Sequence, residues 1–378
     1  MRRIGAVVAG ALLALAATGG PAAAQEPIRI GINKPFSGPV SFIGQDEKVG
    51  FEWALAEINA KGILGGRKIQ LFYGDNQCNP TEGVNAARKL IDLDKVVAMI
   101  SGACSSATLA IMPVIEEAKI PNLTISSTNP RITQMAGVGG NVWQFRLNVD
   151  DSTMAKTFSR VIAEKAKTVA MFGPNNDFGR GAAAAYGEEF KKVGVRLLTV
   201  EYFEQGTADY RPQLTKVKSM SPQALLLVME SRDASVLVRQ LRESGMRPML
   251  FARGSVVTNE FAKAIRDDCS LGEGLVEATF GANGISPAFD RRFEQAFKQK
   301  PHIHHGISYS GLHALARAIE LGGKAEPDAI RQGLKKLDFT DPILGPVKFD
   351  DHNQAHTNMA LTTMSECQVK LLKVVPTN

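Results

Sequence analysis

Short apolar runs alternating with helix-length stretches constrain this chain more than any other feature, and the pattern is sharpest between Cys78 and Thr133. Val96–Ile100 and Leu123–Ile125 each read as a buried strand of a parallel sheet. Cys104-Ser105-Ser106-Ala107-Thr108 follows the first run. Ser126-Ser127-Thr128-Asn129-Pro130-Arg131-Ile132-Thr133 follows the second. Each hydroxyl cluster therefore sits in a loop leaving a strand's carboxyl end. In open α/β sheets that edge is where ligands bind. Ser and Thr hydroxyls beside the free N–H groups of a helix start can hold an anion without a charged side chain.

The same rhythm runs through the rest of the chain. Ile28–Ile32 and Lys68–Tyr73 read as strands. Gln45 to Ala60 and Pro80–Leu93 read as helices, with Gly62 closing the first and Pro80 opening the second. Trp53 reads as a core residue on the first helix. A long link, Gln134–Asp151, follows, with Phe145–Val149 expected to cross into a second set. There the pattern restarts, with strands at Thr168–Phe172, Val195–Tyr202, Ala224–Met229 and Met249–Phe251 and helices between them. The chain is expected to return near Leu275–Thr279 and to continue through helices at Pro287–Lys298, Ser308–Leu321 and Pro327–Leu337. Gly345–Asp350 is expected as a third crossing, and Ala360–Ser365 and Val369–Val374 as closing strands. Strands alternating with helices imply parallel sheets covered on both faces. The expected fold is α/β, with two lobes, a cleft between them and a three-segment hinge.

The amino-terminal Met1-Arg2-Arg3, the apolar Ile4–Thr18 and the small Ala22-Ala23-Ala24 describe a secretory signal peptide cut after Ala24. Its loss lowers the formal charge from +6 to +4, since Arg2 and Arg3 go with it. No basic run interleaved with aromatics points to nucleic acid. The expected product is an exported, periplasmic, soluble monomer. Export makes disulfides plausible, and the four cysteines allow three pairings. Cys78 and Cys104 both lie just after strands of one βαβ unit, close enough for a bridge. Cys269 and Cys367 are a candidate second pair. No Cys-x-x-Cys supports a zinc ribbon.

Each candidate has an ordinary alternative. Ser105 could simply cap a helix, and Thr128-Asn129-Pro130 could simply be a turn. Gly179-Arg180-Gly181-Ala182-Ala183-Ala184 matches G-x-G-x-x-A. However, Gly173–Phe178 separates it from its strand, so a dinucleotide loop is not supported. His302, His304 and His305, like His352 and His356, read as surface histidines rather than zinc ligands. Ser105 has no base signature beside it, so no hydrolase site emerges. No cofactor or metal is expected.

Over nearly all of the mature chain the sequence resembles the periplasmic leucine/isoleucine/valine-binding proteins, the type I binding proteins of ABC importers. The most specific parts are Asp75 through Asn79-Pro80, Cys104-Ser105-Ser106, and Thr128-Asn129-Pro130 with Thr133. The resemblance implies a Cys78–Cys104 bridge. It further implies that Ser105 and Thr128 hold a ligand carboxylate and that the Ser126 carbonyl meets an ammonium group. It divides the mature chain into residues 25–147 plus 278–344 and residues 148–277 plus 345–378. The implied partners are an amino acid and a membrane permease. Four positions depart from the family pattern. Ile43 and Phe178 stand where aromatic and Tyr residues are expected, and Glu230 or Ser231 where a second Tyr is. Gly254, beside Arg253, stands where an acidic residue would pair with the ammonium. Two ligand classes follow. Either Glu230 supplies the carboxylate for an amino acid, or the ligand is an aromatic, dicarboxylic or keto acid without an amine and Arg253 meets a carboxylate. His304 is placed by the resemblance near an apolar contact at the cleft edge.

Overall fold

The computed structural model describes residues 26–281 and 283–377. The expected signal peptide lies outside the described residues. The first sheet is wholly parallel. It contains β1 (Ile28–Lys34), β2 (Ile69–Asp75), β3 (Ala98–Ser101), β4 (Asn122–Thr124) and β5 (Gln144–Arg146), in the order β2-β1-β3-β4-β5. The second begins with β6 (Thr168–Pro174), β7 (Arg196–Phe203), β8 (Ala224–Glu230), β9 (Met249–Ser255) and β10 (Val276–Thr279), all parallel. β11 (Asp338–Asp341) and β12 (Gly345–Lys348) form a separate antiparallel ribbon. β13 (Met359–Ser365) and β14 (Gln368–Val375) then add antiparallel strands to the second sheet beyond β10.

Twelve α-helices are described: α1 (Ser41–Lys61), α2 (Pro80–Arg88), α3 (Ser105–Ala118), α4 (Arg131–Gln134), α5 (Asp151–Ala163), α6 (Asp177–Lys192), α7 (Arg211–Met220), α8 (Ser231–Glu243), α9 (Asn259–Ala264), α10 (Pro287–Phe297), α11 (Ile303–Gly322) and α12 (Pro327–Lys335). Local chemistry fixes many of the ends. Asn79 accepts from the Thr81 and Glu82 N–H groups, with Pro80 at the first helical position of α2. Asn176 caps α6 through Gly179, and Thr258 caps α9 through Phe261. β8 is buried along its whole length, as a strand covered on both faces requires.

In each sheet the strand order reverses beside a central strand, between β1 and β3 in the first and between β6 and β8 in the second. Such reversals open a crevice at the carboxyl ends of the strands. The chain passes from the first sheet to the second after β5 and leaves it after β10 for α11, which packs on α1. It returns between β12 and β13. Trp53 packs within about 6 Å (ring centroids) of Phe289, Phe293, Phe297 and Tyr309, holding α1 against α10 and α11.

Four expectations change. Gln144–Arg146 is the last strand of the first sheet, so the first crossing starts after Arg146 rather than within Phe145–Val149. Gly345–Lys348 belongs to the ribbon, and the third passage runs from its end. α11 begins at Ile303, five residues before the expected Ser308. His302 accepts from the His304 N–H, and the His305 ring accepts from the His302 N–H, making an imidazole capping box. His304 and His305 are buried, not surface residues; histidine pairs are a rare way to cap a helix, so composition gave no warning.

Candidate functional site

The two hydroxyl corners meet at the carboxyl edge of the first sheet. The Ala103 N–H donates to Ser126 Oγ at 2.8 Å, the Asn129 N–H donates to Ser105 Oγ at 3.3 Å, and the Thr108 and Ser127 hydroxyls lie 2.8 Å apart. Gly102 permits this approach. Its φ is +129°, and a Cβ there would lie 2.9 Å from the Ser126 nitrogen. α3 starts at Ser105 with no side-chain cap from Cys104, so its first N–H groups keep their capacity to donate. The Cys78–Cys104 bridge, with Cα atoms 5.3 Å apart, pins this corner from behind. Cys269 and Cys367 are also joined, at 5.1 Å.

One cavity gathers Ile43, Ser126, Thr128, Phe178, Glu230 and Gly254, together with Ala103, Arg253, Ser255, Phe280, Ile303 and His304. Its free space is only about 20 Å³, far below the roughly 300–1,000 Å³ of ligand pockets, so its walls must part to admit anything larger than water. Six of the seven residues singled out in the sequence line it. Ser105 does not; its hydroxyl stands behind the wall, accepting from Asn129. Across the rim the Asp177 N–H donates to Ser106 Oγ at 3.1 Å, and the Asn129 amide donates to the Asp177 carbonyl. The edges of the two sheets are thus in contact.

The hydroxyls facing the cavity are already engaged. Ser126 Oγ accepts from Lys34 Nζ at 3.1 Å and donates to Glu47 Oε1 at 2.7 Å. Lys34 and Glu47 form an ion pair at 2.7 Å, both side chains fully buried. Burial alone would raise the Glu47 carboxyl, but Lys34 and His304 outweigh it and hold it below its ordinary value. Thr128 Oγ1 donates to Asp151 Oδ2 at 2.9 Å, and Arg253 Nε donates to Asp151 Oδ1 at 2.9 Å. Burial raises the Asp151 carboxyl, while Arg253 and Thr128 pull it back.

What remains free is charged. Arg253 Nη2 and Glu230 Oε2 are buried without a hydrogen-bond partner, as is His304 Nδ1. Glu230, at the end of β8, is only 9% exposed and forms part of the cavity wall. Burial raises its carboxyl, with His304 and Arg253 opposing. β8 and β9 align Glu230 with Ser255, and the Arg253 guanidinium lies 5.6 Å from the Phe178 ring centroid. Gly254 has φ +139°, and a Cβ there would fall 2.0 Å from the Met229 carbonyl oxygen. No side chain fits at this position, so a carboxylate for an ammonium group must come from elsewhere.

A family model for "Periplasmic binding protein" matches residues 27–368. The chain belongs to the periplasmic binding protein family. It is 29% identical to an "Amino acid binding protein" of Pseudomonas aeruginosa over 311 residues, 81% of this chain and 82% of the relative. It is 26% identical to a "Leucine-, isoleucine-, valine-, threonine-, and alanine-binding protein" of the same organism over 347 residues, 90% of each. The structure of a leucine binding protein from Thermotoga maritima superposes with a TM-score of 0.81 at 25% identity, covering 92% of this chain and 99% of that one. The two-lobed architecture is that of type I periplasmic binding proteins.

In this periplasmic binding protein the sequence reading missed Lys34, Glu47, Asp151 and Ser255. A lysine ending an apolar strand and an aspartate opening a helix are ordinary patterns. Their pairing spans 102 residues for Asp151 and Arg253, and it becomes visible only once the chain is folded.

Proposed function

We propose that this chain is the soluble, periplasmic receptor of an ABC-type importer and that it captures a small α-amino acid, branched-chain or related, in the cavity between its lobes. The observation that carries this reading is the pair of unpartnered groups in one buried cavity: the Arg253 Nη2 donor and the Glu230 Oε2 acceptor. A buried atom of a charged group left without a hydrogen bond is costly, and a zwitterion satisfies both ends at once. Arg253 and the N–H groups of the Ser105 and Thr128 corners meet the carboxylate. Glu230 and the Ser126 carbonyl meet the ammonium. Ile43, Phe178, Phe280 and Ile303 enclose the aliphatic part. Closure over the ligand is the state a membrane permease reads, and no chemical turnover is involved.

The second reading keeps the receptor and replaces the ligand with an aromatic or keto acid. Gly254 favours it, because the family's ammonium-binding carboxylate is missing there. So does the raised Glu230 carboxyl, which when protonated can donate to an acid. A thermal-shift screen separates the two, because a ligand that binds only the folded state raises the melting temperature. Stabilisation by valine, leucine or alanine with none by benzoate or 2-keto acids supports the first reading. The reverse pattern rejects it.

A further inference from the structure

His304 has a role that aliphatic-ligand recognition leaves unexplained. It is buried at the second position of α11, lines the cavity, and points Nε2 at Ser255 Oγ, 3.0 Å away on β9. Acidic groups face it from two elements. From α1, Glu47 Oε1 lies 3.8 Å from its Nδ1, and Asp46, itself paired with His302 at 3.2 Å, is close behind. From β8 comes Glu230, in register with Ser255. The facing cations are Lys34 on β1, paired to Glu47, and Arg253 on β9, paired to Asp151. Phe42 of α1 packs edge-on against the ring.

Counting charges around the cavity isolates this residue. Lys34 cancels Glu47, and Arg253 cancels Asp151. Glu230 is left over, and His304 is the remaining ionisable group on the cavity wall. We propose that His304 sets the net charge of the ligand this cavity accepts. With the ring cationic, the wall is neutral overall and takes a ligand with no net charge. With the ring neutral or replaced, the wall carries one excess negative charge and takes a ligand with an extra cationic group, such as a diamino acid. Burial alone would lower the ring, but Glu47, Glu230 and Asp46 outweigh it and hold its proton above the usual histidine range, which favours the neutral-ligand state near neutral pH.

This inference rests on the cavity being the ligand site. The test is calorimetric titration of the mature protein and of His304→Gln with leucine and norleucine, and with ornithine and lysine, between pH 6 and pH 8.5. Norleucine and lysine differ in a terminal methyl against an ammonium. The expected result at pH 7 is a shift of about tenfold or more in the neutral-to-cationic affinity ratio toward the cation in His304→Gln. Raising the pH should move the wild-type ratio the same way and clearly further than the variant's. An unchanged ratio in both arms, with neutral ligands still binding the wild type, overturns the role of His304 and leaves the site in place. Binding of no amino acid by the wild type overturns both. The pH series is repeated on Glu277→Gln, whose carboxyl otherwise titrates in the same range, so it decides the point even if His304→Gln does not fold.

Discussion

The two walls of the cavity use different chemistry. On the first-sheet side, the loops after β3 and β4 bring three hydroxyl residues together, and every one of those side chains is committed to an internal contact. On the second-sheet side, β8 and β9 end in Glu230 and Arg253, each with a polar atom unmatched. The hydroxyl wall is a frame whose shape and backbone donors are preset. The charged wall holds the unsatisfied atoms, and on the proposed reading a ligand gains most there, because an unmatched atom of a buried charged group costs more than an unmatched hydroxyl. The residues that look most like a binding motif are thus the scaffold, and the strongest attraction comes from strand ends with no motif.

The largest effect is expected at Arg253. Arg253→Met should weaken ligand binding about a hundredfold or more and destabilise the fold by about 3–5 kcal/mol, because Asp151 is left buried and unpaired. Adding Asp151→Asn should restore the melting temperature without restoring affinity in calorimetry. A double variant that regains both would erase the distinction between the walls. Next in size, Cys269→Ser with Cys367→Ser should cost about 2–4 kcal/mol in denaturant unfolding and leave affinity within about twofold. That bridge lies beside α9 and β14, among residues that do not line the cavity.

A third prediction uses pH. Glu277, buried and accepting from the Val256 and Val257 N–H groups, is pushed up to about 7 by burial. A carboxyl raised above its unfolded value keeps its proton longer when folded. Its contribution to stability therefore falls as pH rises from the unfolded value toward 7, then levels off. Glu277→Gln should remove that slope from unfolding curves measured between pH 4.5 and 7.5. Smallest of all, Ser105→Ala should cost under about 1 kcal/mol of stability and only a few-fold in affinity, since only the Asn129 N–H loses its acceptor. If Ser105→Ala weakened binding more than Arg253→Met, the assignment of strength to the charged wall would be wrong.

Sequence legibility followed the same divide. The alternating strands and helices follow from local pattern, because period and turn chemistry are local properties, whereas the Cys78–Cys104 bridge, which spans β2 and β3 with β1 between them, was an implication of the family resemblance. Ile43, Phe178, Glu230 and Gly254, singled out in the sequence, all line one cavity. The commitment of the hydroxyls was not legible, because the partners of Ser126 are Lys34 and Glu47, 92 and 79 residues away. The start of α11 was hidden for another reason: histidines in a row resemble a polar loop until their rings are seen accepting backbone protons. Gly254 carried a signal that could have been used. A glycine ending an apolar strand where a side chain is expected announces a backbone with no room for one.

β13 and β14 close the second sheet with the last part of the chain, pairing with β10 more than eighty residues earlier. A polypeptide emerging in order from a ribosome therefore exposes an open β10 edge until β13, Met359–Ser365, arrives. An unpaired edge can pair with another chain, so this half stays open to misassembly while the intervening residues are made.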